Sequence, residues 1–473
     1  MQASLHTPTA SSKLQLEEDV AVIPGVQDRR ELARQVVEEA MQAGAVTAEV
    51  LIHEGREFST VVRLGAVEKL VQAGSRRLGM RIFQGTRCAI SSTSDFSAAS
   101  LHQMVCDTCD MARAAGEDPA AGIPEQDLYA RDVPQLHLFF PAADGLPADQ
   151  KIAWARTCEQ AALQCDPRIN NSEGAGFSDS VATVTYANSA GVCASYDRSV
   201  CTLYAAPLAE SDGQKQRDYW LTTHPDLKRL QPPQEVGAEA ARRVLRRLGA
   251  RRVSTCSVPV VFDPLTAAAL LRHLADAVSG TALVRKTSFL AGKLGARVAS
   301  PLVTICDDAL LPGGLGSRPF DAEGVPSQTT SVVRAGVLES FLLDSYTARK
   351  LGLRSTANSN RPLHGAPAAG PSNFFLEAGT ATPDEIIATV KNGLYVTDLI
   401  GFGVNLVSGN FSQGAAGIWI DGGRLAFPVE EITVAGNLKD MLTSVEAVGN
   451  DLLALGEIFA PTLLIGKMVV SGS

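Results

Sequence analysis

The chain has 473 residues, enough for two to three domains of ordinary size. Apolar residues make up 45% and charged residues 20%, a soluble globular balance, and no run reaches the roughly 18 consecutive apolar residues of a membrane span. Its net charge of −9 repels phosphate backbones and argues against broad nucleic-acid binding.

Residues 1–25 are polar, lack helical or strand periodicity and end in "IPG", the pattern of a flexible tail. They have no basic stretch followed by an apolar core, so no secretory signal is expected. Nine cysteines, without framework spacing, then read as reduced thiols in the cytosol. A helix is predicted from Arg29 to Ala43, ending at Gly44. Two strands follow, "AEVLIHE" and "EFSTVVRL", joined by a turn at Gly55, and two more flank Gly85 in "RLGMRIFQGTRCAISSTSD". A helix over Ser97–Ala115 closes this unit, and residues 116–150 read as connection. A further helix, "PADQKIAWARTCEQAALQ", precedes an antiparallel series that turns at "NSAG" and runs on to "QRDYWLTT". A basic helix over Val236–Leu248 leads to a domain boundary near residue 250.

The second half begins with the buried strand "VPVVF" and a helix over Pro264–Ser279. From about residue 301, short apolar strands alternate with glycine-rich turns: "PLVTICDD", the hairpin "VVRAGVLESFLL", "GVNLVSG", and a hairpin around Asp421-Gly422-Gly423. Strands and helices do not alternate as βαβ units, so the class is α+β. The predicted organisation is a tail (1–25), an N-terminal mixed α+β domain (26–249) and a mainly antiparallel β-rich C-terminal domain (250–473).

Several short patterns carry no chemistry on their own. "HEGREF", His53–Phe58, is one letter short of a zinc-helix motif, but it sits among strands, where alternation sends His53 and Glu54 to opposite faces. "CDTC", Cys106–Cys109, has redox spacing but lies mid-helix, away from a helix N-terminus that would lower a thiol pKa. "GGLGS", Gly313–Ser317, lacks the lysine and following helix of a phosphate cradle.

The helix over Pro264–Ser279 is more informative. At about 100° per residue, Ala267, Leu270, Leu271, Leu274, Ala275 and Val278 form a core-facing stripe of about 140°. Arg272, Asp276 and Ser279 cluster on the opposite side, with His273 beside them. Arg272 and Asp276, four apart, are spaced to pair across one turn. One histidine with one aspartate does not make a zinc site, which needs three protein ligands.

The blocks "VPVVFDPLTAAALLRHLADAVSG", "RKTSFLAGKLG", "FDAEGVPSQTTSVVRAGVLESFLLDSYTARKLGLRSTAN", "VSGNFSQGAAGIWIDGGRLAFPVEEITVAGNLKDML" and "VGNDL" resemble, in order, the TldD/PmbA family. The N-terminal "RRLGMRIFQGTRCAISSTSD" resembles it less specifically. The resemblance implies two kinds of chain. TldD-type chains carry His-Glu-x-x-x-His on this helix and a cysteine near the C-terminus, which together hold a catalytic zinc. PmbA-type chains, also called TldE, lack those ligands and pair with a TldD-type chain to form a peptidase. An ungapped match puts Arg272, His273 and Ala277 at the three helix positions and Leu455-Gly456 near the cysteine position; no cysteine follows Cys306. "GNFSQGAAGIWI", "AGNLKDM" and "SYTARKLGL" are likewise similar to the PmbA side.

The resemblance therefore implies a cytosolic PmbA/TldE-type subunit with no catalytic residue, no metal and no cofactor of its own. It would pair with a zinc-bearing TldD-type subunit, or with itself, and act on small or unstructured peptides, with no nucleic-acid or membrane partner. Ser408, Asn410 and Ser412, in the glycine-rich Ser408–Gly417 segment, are the candidates for a substrate groove; the plain reading of that segment is a tight turn of the sheet. The alternative is a homodimeric, non-catalytic peptide-binding or regulatory protein, to which the older family label "modulator of DNA gyrase" belongs. A third possibility, a peptidase using His273, Asp276 and His364, has nothing in the sequence to bring His364 near.

Overall fold

A computed structural model of the chain describes residues 26–129, 132, 134–142, 144–361 and 366–472. The predicted tail and His364 lie outside the described residues. The N-terminal half holds α1 (Val26–Gln42), β1 (Thr47–Arg63), β2 (Ala66–Gln84), β3 (Arg87–Thr93), α2 (Ala98–Ala114), α3 (Ala148–Cys165), β4 (Ile169–Asn188), β5 (Cys193–Ser211), β6 (Gln214–Arg217), β7 (Trp220–His224) and α4 (Pro233–Leu245). Its strands form one antiparallel sheet in the order β3-β2-β1-β4-β5-β6, with β7 also on β5. Two helix pairs cover it. Val36, Val37 and Ala40 of α1, with Met104 and Val105 of α2, pack on Val50, Ile52, Met80 and Ile82. Cys158 of α3 and Val236 and Ala240 of α4 pack on Phe58, Phe177 and Leu203.

The predicted turn at Gly55 is not there: β1 runs straight through it, with Gly55 opposite Ser75 on one side and Ala182 on the other. A Cβ at Gly55 would lie 3.0 Å from the Val181 carbonyl oxygen, so the glycine permits a close strand approach rather than a reversal. The reversal occurs at Leu64-Gly65, with φ values of 49° and 80°, the left-handed pair of a two-residue hairpin. Beyond it, β2 pairs with β3 only over Leu78–Gln84, which leaves the Ala66–Arg76 edge without a strand partner among the described residues.

The C-terminal half holds β8 (Cys256–Phe262), α5 (Pro264–Val278), α6 (Gly280–Val284), β9 (Ile305–Asp308), β10 (Thr329–Arg334), β11 (Val337–Leu338), α7 (Ser345–Leu351), β12 (Ser359–Asn360), β13 (Ala368–Ala369), β14 (Phe374–Leu376), α8 (Pro383–Thr389), β15 (Asn392–Ile400), β16 (Asn410–Asp421), β17 (Arg424–Asn437), α9 (Leu438–Thr443), β18 (Val445–Val448), β19 (Ile458–Phe459) and β20 (Leu463–Ser471). One sheet runs β17-β16-β15-β8-β20-β18, and an added β17–β20 pairing closes five of its strands into a ring. A second sheet runs β11-β10-β9-β14-β19. Most pairs are antiparallel, as the sequence suggests; β8–β15 and β14–β19 are parallel. Both predicted hairpins form, at Ala335-Gly336 and at Gly422-Gly423, each pair at positive φ. The segment "GVNLVSG" is not a strand. It is a turn in which the Asn405 carboxamide oxygen accepts from the Val407 and Ser408 N–H groups, a local bond that competes with ladder pairing.

Candidate functional site

Helix α5 lies between the two C-terminal sheets. Its N-terminus is set by Asp263 and Pro264: the Asp263 carboxylate accepts from the Thr266 N–H at 2.9 Å, and proline occupies the first helical position. Arg243 of α4 holds this cap from the other half of the chain. Its Nη2 stands 3.6 Å from Asp263 Oδ2, and its Nε donates to Asp218 Oδ1 at 3.4 Å. The helix stops at Val278 because the next residues are needed elsewhere. Ser279 is extended and its hydroxyl donates to the Ala369 carbonyl oxygen; the Gly280 N–H donates to that of Leu342. A Cβ on Gly280 would fall 2.3 Å from Thr347 Oγ1, so only glycine fits there.

The core stripe predicted for this helix is buried throughout. Ser279, placed by periodicity on the polar face, is buried as well, because the helix has ended by then. The three positions singled out on the helix do not share a face. Arg272 is exposed, His273 is half-buried and Ala277 is fully buried in the core. The His273 ring meets the buried Phe411 of β16 edge to face, centroids 6.4 Å apart. Ala277 presents its carbonyl oxygen to the Ser288 hydroxyl at 2.5 Å. Leu455-Gly456 lead into β19, a strand packed against α5. A guanidinium, a half-buried imidazole and a core methyl do not fit a zinc ion. Among the described residues, no group of three or more His, Cys, Asp or Glu is placed to hold a metal.

Burial pushes the His273 imidazole below its ordinary pKa, Asp276 partly opposes the shift, and Arg272 adds to it. Burial raises the Asp276 carboxyl, with His273 and Arg272 opposing. The shift favours the neutral form of the His273 ring. A proton titration followed by NMR is expected to place His273 below the free-histidine value of about 6.5; a value above it would mean that Asp276 dominates.

The Ser408–Gly417 segment divides in two. Ser408-Gly409 is the end of the turn, with Gly409 at φ 85° beside the Asn437 side chain; Asn410 onward is strand. Asn410 and Ser412 are exposed, Ser408 half-exposed. Their backbone is already used on both sides. β17 pairs along one edge; on the other, the Ser412 N–H donates to Gly403 O and the Asn410 carbonyl oxygen accepts from Asn405 N–H. A ligand at this surface meets side chains, not a free strand edge.

The remaining motifs are structural. Glu54 pairs with Arg29 of α1, and burial together with Arg198 lowers the pKa of His53, inside β1. Cys109 is buried on α2, and burial raises its thiol pKa. In "GGLGS", the Gly316 N–H donates to the Asn373 side chain, and a Cβ there would fall 2.3 Å from Ser372 O. The start of α5 at Pro264 was readable in the sequence. The Asp218–Arg243 pair was not, since 25 residues without a shared motif separate its members.

Three family models match the chain: the PmbA/TldA metallopeptidase domain 1 over residues 48–112, the central domain over 141–248 and the C-terminal domain over 255–472. The metalloprotease PmbA of Escherichia coli O157:H7 is 35% identical over 454 residues, covering 95% of this chain and 98% of that protein. A candidate modulator of DNA gyrase from Bacteroides thetaiotaomicron superposes with a TM-score of 0.88 at 28% identity, covering 95% of this chain and 100% of the other. TldE from Thermococcus kodakarensis shares the fold, with a TM-score of 0.85 at 20% identity, covering 93% and 100%. The chain belongs to the PmbA/TldD metallopeptidase family.

Proposed function

We propose that this chain is the non-zinc, PmbA/TldE-type subunit of a cytosolic peptidase whose zinc sits on a TldD-type partner, acting on small or unstructured peptides. The observation that carries this reading is the disposition of α5: Arg272 outward, His273 half-buried against Phe411, Ala277 in the core. The scaffold of a metallopeptidase is kept while the three helix positions offer no ligand set. In that role the chain's own residues would shape one wall of an internal chamber that holds the peptide. Ser408, Asn410 and Ser412 present hydroxyl and amide groups beside the turn, which suits contacts to a peptide main chain without reading its sequence.

The test is reconstitution. The chain alone is expected to bind no stoichiometric zinc and to leave an unfolded peptide intact; mixed with a TldD-type partner, it supports cleavage that a chelator abolishes. Zinc binding with cleavage by the chain alone overturns the reading. Failure to associate with any zinc-bearing partner favours the homodimeric, non-catalytic alternative.

A further inference from the structure

A cleft of about 220 Å³ opens between the two halves of the chain, beside the first turns of α5. Asp218, Arg243, Thr266 and Thr397 form its buried floor, each at most 6% exposed; Tyr219 at 47% stands on the rim. Asp218 is unusual among these residues. Its Oδ1 accepts from the Tyr219 N–H at 2.8 Å and from Arg243 Nε. Its Oδ2 is buried and takes no hydrogen bond. Arg247 Nη1 stands 4.0 Å away and donates instead to Asp398 Oδ2 at 3.1 Å. An ionised carboxylate oxygen is only an acceptor, and leaving one unmet in a buried site is costly. The cleft thus has an unmatched acceptor in its floor and an aromatic at its mouth, with carboxylates (Asp398, Glu173) and guanidiniums (Arg217, Arg247) together on its wall.

From this geometry we infer that the cleft binds the free amino terminus of a peptide, with the α-ammonium donating to Asp218 Oδ2. An ammonium brings three donors, so it satisfies Oδ2 and still reaches a neighbouring acceptor. The cleft wall continues along α5. Leu265 and Ala269 line it, and Arg272 and Asp276 follow at the three- and four-residue steps that keep one helix face. From Ala269 to Asp276 the helix rises by about 10 Å, the reach of about three extended residues. A peptide anchored at Asp218 would therefore run past Arg272, the outward-facing member of the three helix positions. This site rests on the proposed peptide-handling role and adds a polarity to it: the amino end is held by this chain.

The test uses the full chain and two small probes, alaninamide and N-acetylalaninamide, followed by ligand-observed NMR or calorimetry. Alaninamide is expected to bind at least about tenfold more tightly, the scale of one charge-assisted hydrogen bond. Asp218→Asn is expected to erase that preference. Because this substitution also removes one of the two carboxylates beside the buried Arg243, a second variant is needed: Ala269→Leu, which fills the cleft wall and leaves every charge in place, is expected to abolish binding of both probes. Equal binding of the two probes, a preference that survives in folded Asp218→Asn, or undiminished alaninamide binding to Ala269→Leu overturns the site. Cleavage by the reconstituted pair without any probe preference leaves the proposed function standing and removes this site. Asp218-dependent alaninamide binding without cleavage does the reverse.

Discussion

Replacing Glu49 with alanine is expected to cost the fold about 3–5 kcal/mol, the range for breaking a buried ion pair from one side. Glu49 is fully buried on β1. Its Oε1 accepts from Arg81 Nε at 2.6 Å and from Arg361 Nη1 at 3.2 Å, and its Oε2 accepts from the Tyr186 hydroxyl at 3.0 Å. Arg81 Nη2 reaches on to Glu323 at 2.9 Å, and Glu323 accepts from the Ser345 N–H. Within this hydrogen-bonded set two carboxylates meet two guanidiniums; removing Glu49 takes away the carboxylate that both Arg81 and Arg361 donate to. Burial opposes the Glu49 charge, but Arg81, Arg361 and Tyr186 together hold its carboxyl below the usual glutamate range. A carboxyl whose folded pKa is depressed stabilises the fold above its unfolded value, about 4.3. That contribution is lost as the pH falls through the lower folded value. Equilibrium unfolding in urea at pH 7 checks the prediction, and a loss below about 1 kcal/mol, the scale of an exposed pair, would refute it.

Grafting the zinc motif, as Arg272→His, His273→Glu and Ala277→His together, is expected to yield no stoichiometric zinc binding and to destabilise the chain by about 1–3 kcal/mol. The first effect follows from direction. On a regular helix, residues five apart point about 140° apart, and α5 is helical through Val278. An imidazole at 277 would enter the core while one at 272 faces out. The second effect follows from volume. Ala277 has no exposed surface and its neighbours Leu274 and Val278 are packed against it in one cluster. Metal analysis with thermal melting decides both points. One equivalent of zinc bound by an undestabilised triple variant would show that the helix end opens more readily than its packing implies.

Much of the fold was legible because its determinants are local. The α5 stripe follows from periodicity, and the hairpins from Ala335-Gly336 and Gly422-Gly423. The errors share a cause, a glycine or a β-rich run judged without its neighbours in space. Gly55 looks like a turn until Val181 is known to lie across from it, and "GVNLVSG" looks like a strand until Asn405 takes its local hydrogen bonds. The helix positions Arg272, His273 and Ala277 came from resemblance, while their differing exposure is a tertiary property that periodicity only partly anticipates. The Asp218 cleft was illegible altogether, since its walls come from residues 173 to 399 and no motif spans them.

The open margin of β2 also governs how the protein behaves as a colloid. Among the described residues, no strand pairs along one side of Ala66–Arg76, and Val67 and Leu70 are exposed there. Such a margin is a template on which strands of other molecules could add. Here it carries Glu68, Lys69 and Arg76, charges of both signs that would have to shed water before a second strand could dock flat. The margin thus sets a barrier to fibrillar self-assembly in crowded solution, and replacing those charges with apolar residues is expected to lower it.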